Sequence, residues 1–389
     1  MQIFENHFSP PDGHRSLRFQ LALLRFVGLW GDRRQMVKYG ILAFNIVALI
    51  IAPKIVFGPG KDGFDTFVRN VAELIFQIEN CISIGIFALR RNRFERLVAV
   101  LEKMLLRDWS EELRDEIDEF TARMDKFGRR YTIYIMILAT SFTVVPIAFS
   151  VVQLLFIDTE NDFMLGFELN FYCLKVRTDF GQYMFYMLTF YTISVFSSAI
   201  HSSLKGSVFV VIIRYGTKLF ELVSKRINAA AKIENLDDRR KEFGEIVELH
   251  SLALEYVDNL EATLCFVLMN QIFGCILMWC LSMLYISNNI GPNIGNVLIL
   301  FTVIFFEIVI YCINGTRLSE KAALVASAMY EYPWYNEPTS LQKNGKQIIQ
   351  RAQKPTGITA AKFYFINIER LSIIVQASFS YYLFLKKTF

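Results

Sequence analysis

Charge is scarce in this chain. Asp, Glu, Lys and Arg make up 20% of its 389 residues, against about 25% in an average soluble domain. Hydrophobic residues reach 53%, aromatics 15%, and Phe alone counts 36. That balance argues against a soluble globular protein. Histidine is scarcer still: His7, His14, His201 and His250 are scattered, with no zinc-ligand spacing. The six cysteines include no CxxC pair, and all but Cys173 fall inside apolar blocks, so no disulfide framework is expected. No glycine-rich phosphate loop, nucleophile elbow or metal motif occurs. An enzyme would lack its catalytic constellation, and neither a metal nor a cofactor is expected. With 37 acidic residues set against 41 basic ones, no nucleic-acid role is implied. A cleavable signal peptide is missing too, because Arg18 and Arg25 break the apolar run in "SLRFQLALLRFVGLWGDRR". Leu21, Leu24, Phe26, Val27 and Trp30 fall on one helical face there. They predict an amphipathic helix lying at the membrane interface, within an arm of residues 1–36.

What the chain has instead is apolar blocks of about 20 residues, the length that crosses a hydrocarbon core as a helix. Six of them, Val37–Phe57, Val68–Leu89, Tyr131–Ile157, Gly181–Arg214, Thr263–Ile286 and Asn293–Ile313, form a spanning region over residues 37–314. A seventh, Gly357–Leu385, closes the chain within residues 356–389. The fold class expected is all-α with seven membrane spans. The fourth block, about 51 Å long, exceeds the core thickness, so its later turns, with His201, Lys205 and Arg214, are expected to reach water. Roughly thirty Lys and Arg lie in residues 1–36, 90–130, 215–262 and 315–355, and about five lie in the opposite loops, among them Lys61, Lys175 and Arg177. Lys and Arg beside spans mark the cytoplasmic face. The N-terminus is therefore expected inside and, after seven crossings, the C-terminus outside. G-protein-coupled receptors run the other way, and neither Asp-Arg-Tyr nor Asn-Pro-x-x-Tyr follows the relevant spans. The sequon Asn314-Gly-Thr316 falls on the inner side and is expected to stay unmodified. Residues 90–130 and 219–262 carry apolar residues at 3–4 spacing and read as cytoplasmic extensions of the spanning helices.

Ionisable groups sit where lipid penalises them by about 2.5–3.5 kcal/mol: Glu79, Glu307, Glu369 and Arg370. For Glu79 and Glu307 the readings are a structural interhelix hydrogen bond or a ligand or ion role. In the last block Lys362, Glu369, Ser372, Gln376 and Ser380 fall within an arc of about 80°. Such a stripe lines water or glues helices together. If it lines a pore, copies from several subunits must ring an axis.

Two segments near the C-terminus carry a family resemblance. "GTRLSEKAALVASAMYEYPWYN", Gly315–Asn336, with Tyr330, Trp334 and Tyr335, resembles the cytoplasmic segment of insect odorant receptors. "KPTGITAAKFYFINIERLSIIVQASFSYYLFL", Lys354–Leu385, with Pro355, Thr359-Ala360, Lys362-Phe363 and Phe379-Ser380-Tyr381, resembles their last span. The resemblance implies a tuning subunit of a tetrameric, odorant-gated, non-selective cation channel. Its partners would be an obligate coreceptor, membrane lipid and a small volatile, in the plasma membrane of a sensory dendrite. It implies an anchor in residues 315–355, including Tyr330, Trp334 and Tyr335. It also implies a pore lined by the last span, at Gln376 and Ser380, with a gate near Leu383, Phe384 and Lys387. Lys387 departs from the apolar or neutral residue expected there, and a cationic ring repels cations. The loop between the fourth and fifth spans, about 48 residues, lacks the coreceptor's long insertion.

The family's pocket lies among the second to sixth spans, in the outer half of the membrane. Candidate lining residues share helical faces there: Glu73, Phe76 and Asn80; Ile147, Ser150 and Val151; Tyr183, Met187 and Tyr191; Trp279 and Met283. Apolar walls with a few hydrogen-bonding groups suit a small volatile; ordinary interhelix packing is the alternative for each residue. Two further readings compete: a gustatory-type receptor working without the coreceptor, and a secondary transporter. The transporter would show inverted repeats and broken helices; Pro146 and Gly274 are present, but no repeat is.

Overall fold

A computed structural model of the chain describes residues 15–56, 63–156, 163–165, 175–288 and 294–388. His7, His14, Lys61 and Cys173 lie outside them. Besides a short 3-10 turn at Trp334–Asn336 and one small hairpin, the described residues form ten α-helical rods. These are α1 Arg18–Val27, α2 Arg33–Val56, α3 Gly63–Leu89, α4 Arg91–Leu105 and α5 Glu111–Phe156. There follow α6 Phe180–Ala230, α7 Leu236–Asn288, α8 Ile294–Glu331, α9 Thr339–Ala352 and α10 Ile368–Thr388. Six of them, α2, α3, α5, α6, α7 and α8, are long and apolar enough to cross a membrane; α10 carries its polar stripe instead.

Four helices outrun any bilayer. At 1.5 Å per residue, the 53 residues of α7 extend about 80 Å. Of the charged extensions expected over residues 90–130 and 219–262, residues 111–130, 219–230 and 236–262 are continuous with the apolar stretches, while α4 is a separate helix turned at Arg90. The core is densest around α6, whose apolar window is 89% buried, against 22% for α2 and 28% for α5. Central burial excludes lipid and water alike. His201 and Lys205, expected to reach water, are instead fully buried, because other helices enclose that part of α6: Tyr39 of α2 lies against His201, and Glu79 of α3, Gln271 of α7 and Glu307 of α8 surround Lys205.

α1 is corrected in the same way. It is amphipathic, but most of its apolar face is covered by protein, with Phe26 left exposed. Leu21, Leu23, Leu24 and Val27 are buried in the main core. Gln20 donates to the Met124 carbonyl, and the Phe19 amide donates to Asp125 on α5. Burial of an apolar face looks the same in sequence whether the cover is lipid or protein.

The last apolar block also divides. Thr359–Ala360 pairs antiparallel with Tyr364–Phe365, Thr359 opposite Phe365, across a turn in which Ala361 and Lys362 take positive φ. Glu261 of α7 accepts from the Thr359 amide and hydroxyl, and the Ala361 amide donates to the Cys265 carbonyl. The hairpin lies so close to α8 that a side chain at Gly315 would collide with the Ile366 carbonyl. Asn367 then caps α10, its side chain accepting from the Arg370 amide. Lys362 therefore stands on the turn, off the helix, and Glu369 and Arg370 occupy the first turn of α10.

Candidate functional site

Between α3, α5, α6 and α8 lies a cavity of about 70 Å³, room for on the order of five waters. Its walls are Phe76 of α3, Ile135, Leu138, Ala139 and Phe142 of α5, Val195 and Ala199 of α6, and Ile299, Leu300 and Val303 of α8. Ser198 and Ser202 of α6 supply its polar edge. The space exists because small side chains, Ala139, Ala199, Ser198 and Ser202, meet there among larger ones. No charged residue lines it among the described residues.

Of the residues expected to line a pocket, only Phe76 reaches this cavity. Met187 and Tyr191 continue the same α6 face, at three- and four-residue steps from Val195 and Ser198. They pack with Tyr183 and Tyr186 in a second core cluster that shares Ile135, Ala139, Val195 and Ala199 with the cavity wall. Tyr191 has a defined task. Pro146, inside α5, has no N–H to give the carbonyl four residues back, and the Tyr191 hydroxyl donates to that Phe142 carbonyl at 3.0 Å. Tyr183 and Ser150 clamp the segment before α6: the Ser150 hydroxyl accepts from the Met164 amide at 3.0 Å, and the Tyr183 hydroxyl donates to the Met164 carbonyl at 3.0 Å. Ile147 packs partly buried against that second cluster, and Val151 is half-buried on the same helix. Trp279 lies against the rings of Phe301 and Phe305, at 5.8 and 5.5 Å, and Met283 packs on the main core. Asn80 is fully buried, and neither atom of its amide has a partner among the described residues.

Glu73 lies beside a gap of only about 10 Å³, one water at most. Lys54 reaches it at 2.7 Å and Arg69 at 2.9 Å, and Lys54 also donates to Asn70 at 2.8 Å. The sequence reading singled out neither Lys54 nor Arg69. A second buried ionic group joins four helices. Lys205 of α6 lies 2.7 Å from Glu79 of α3, 3.4 Å from Glu307 of α8 and 2.8 Å from the Gln271 carbonyl oxygen of α7. Gln271 in turn donates to Glu307 at 2.9 Å, and Ser83 donates to Glu79 at 2.6 Å. Glu79 and Glu307 thus make the interhelix contacts that their structural reading expected. At Gly274 the chain has no side chain to obstruct Glu79, whose Cγ would lie 2.8 Å from a Cβ there.

α10 packs on α7 and α8 by one face. Ile374 and Ser378 are buried, and Leu371, Tyr382 and Leu385 pack beside them. Glu369, Ser372, Gln376, Ser380 and Lys387 are all exposed, about 170° round the helix from that face. Leu383 and Phe384 are exposed as well. The polar stripe thus turns away from the subunit's own helices. α8 connects it with the cavity: Leu300 lines the space, and Val297, one turn away, packs in a cluster with Tyr382 and Leu385.

At the end of α8 Tyr330 is 71% exposed, and in the segment that follows Tyr335 is 64% exposed, while Trp334 lies half-buried under Lys346. The residue that holds the turn to the fold is one the sequence reading passed over. Tyr332 is buried, donates to Glu337 at 2.7 Å and meets the Phe243 ring at 5.0 Å. Burial and the Glu337 carboxylate hold its phenol well above the usual range.

The sequence model of the 7tm odorant receptor family matches residues 63–379. Odorant receptor 10 of Aedes albopictus is 26% identical over 148 residues, 37% of this chain and 39% of that one. The odorant receptor coreceptor of Ooceraea biroi is 29% identical over 87 residues, 22% of this chain and 18% of that protein. The chain spans less than half the length of the odorant receptors it matches. The insect olfactory receptor OR5 from Machilis hrabei, solved in complex with eugenol, shares the fold with a TM-score of 0.76 at 13% identity, over 98% of this chain and 94% of that one.

Proposed function

The chain belongs to the 7tm odorant receptor family, and on that premise we propose that it is the odorant-binding tuning subunit of a ligand-gated, non-selective cation channel. The family is one of receptors, not enzymes, and the resemblance read from Gly315–Asn336 and Lys354–Leu385 agrees with it. The observation that carries the reading is the orientation of α10. Its exposed stripe of Glu369, Ser372, Gln376, Ser380 and Lys387 faces away from the helices that hold it. One helix cannot enclose a path, so the stripe calls for copies of α10 around a shared axis. The coreceptor would supply the other subunits of a tetramer. Exposed Tyr330 and Tyr335 suit an anchor contact between subunits, and the excess of Lys and Arg on the helical extensions supports a cytoplasmic N-terminus and an external C-terminus. On this reading the protein works in the plasma membrane of a sensory dendrite.

Gating then needs only that the ligand bind the open state better than the closed one; each 1.4 kcal/mol of difference shifts the equilibrium about tenfold. The volatile occupies the cavity between α3, α5, α6 and α8. Its presence displaces α8 at Leu300, and through Val297, Tyr382 and Leu385 it moves α10 off the axis. Whole-cell currents test the assignment. The chain expressed with a coreceptor should pass non-selective cation current on exposure to some volatile; the chain alone should not. Large volatile-evoked currents without the coreceptor would contradict it.

A further inference from the structure

The cavity described above is apolar except along one edge of α6, and that edge has unused hydrogen-bonding capacity. Ser194, Ser197, Ser198 and Ser207 each donate to the carbonyl four residues back, the usual resort of a helical serine. Ser202, one turn beyond Ser198 on the cavity wall, makes no such bond and has no partner among the described residues. Ser198 lies 2.7 Å from the side-chain amide oxygen of Gln77. A hydroxyl has one proton, so Ser198 spends it there or on the Ser194 carbonyl and keeps lone pairs to accept with. Beside it the Gln77 amide nitrogen is buried without a partner among the described residues.

We propose, resting on the receptor reading, that this cavity selects small volatiles bearing a hydroxyl group, alcohols or phenols, with the oxygen seated between Ser198 and Ser202. Such a group satisfies both partners at once: its proton goes to the Ser198 oxygen, and its lone pair takes the Ser202 proton. An aldehyde, ketone or methyl ether can serve only Ser202, and a hydrocarbon serves neither. Acids and amines are disfavoured, because no charged residue lines the space to pair with them. The hydrocarbon body lies against Phe76, Phe142 and Leu300.

The test is current recording from the chain with the coreceptor, using C5–C9 alcohols and alkylphenols beside alkanes, aldehydes, methyl ethers, esters and amines of matched carbon skeleton. A coreceptor-directed agonist reports assembled channels in every arm. Hydroxyl compounds should be the most potent, with their methyl ethers at least about tenfold weaker. Ser202→Ala and Ser198→Ala should each raise the half-maximal concentration of the best alcohol about 3- to 10-fold and leave the coreceptor-agonist current unchanged. Greater potency for esters, amines or alkanes would overturn this inference and leave the receptor reading standing. So would an alcohol response indifferent to both substitutions. Silence towards every class while the coreceptor agonist still works would overturn the receptor reading itself, and this inference with it.

Discussion

Replacing Tyr191 by phenylalanine removes one oxygen and leaves the ring in its cluster. In the structure that hydroxyl donates at 3.0 Å to the Phe142 carbonyl, opposite the N–H that Pro146 lacks. Tyr191 is 1% exposed, so bulk water does not take over the bond. Losing a donor to a buried carbonyl costs about 1–3 kcal/mol. Unfolding entropies of about 2.1 cal/mol/K per residue convert that, for a chain of 389 residues, into a fall in melting temperature of about 1–4 °C. The cause can be isolated by a cycle. Pro146→Ala restores a backbone N–H aimed at Phe142, so Tyr191→Phe should cost at least about 1 kcal/mol less in that background. Melting of the detergent-purified protein, followed by size-exclusion retention at a fixed heating rate, measures all four variants. Because Phe142 lines the cavity, the concentration of volatile giving half-maximal current should move in step. Equal losses in both backgrounds would refute the link between the proline and the tyrosine.

Three other outcomes follow from the same geometry. Lys205→Met strands Glu79 and Glu307 without their cation and should cost about 3–5 kcal/mol, seen as loss of surface expression; adding Glu79→Gln and Glu307→Gln should recover most of it. Gly274→Ala forces a methyl against Glu79 and should destabilise by about 1–3 kcal/mol in the same melting assay, whereas Gly295→Ala, with open space around it, should not. Tyr332→Phe leaves the buried Glu337 short of a donor and should lower stability by about 1–3 kcal/mol; Tyr335→Ala, at an exposed ring, should spare the chain's stability and reduce co-purification with the coreceptor.

Hydrophobic run length made the spans legible, since about 20 apolar residues have few other uses. The charged helices between them were legible from their spacing. What stayed hidden was pairing at a distance. Glu79 stood out as a costly residue, but nothing local says that Lys205, 126 positions on, reaches it. The same holds for Lys54 and Glu73. α1 has an apolar face by pattern alone, and the pattern does not say that α5 covers it. The cavity was harder still, because it consists of side chains too small to fill a space; Ala139 and Ala199 carry no signal until their helices meet. Two features could have been read and were not. Asn367 is a helix cap that divides the last apolar block, and Pro146 announces a carbonyl at Phe142 that needs a donor.

The central claim is that one side of α10 is wetted at an axis shared by several subunits. Cysteines introduced singly at Gln376 and Ser380 should react with a membrane-impermeant thiol reagent, faster while ligand holds the channel open, and should block current when modified. Cysteines at Ile374 and Ser378, on the face packed against α7 and α8, should stay inert. Reaction at Ile374 and Ser378 with silence at Gln376 and Ser380, in both closed and open states, would contradict the account.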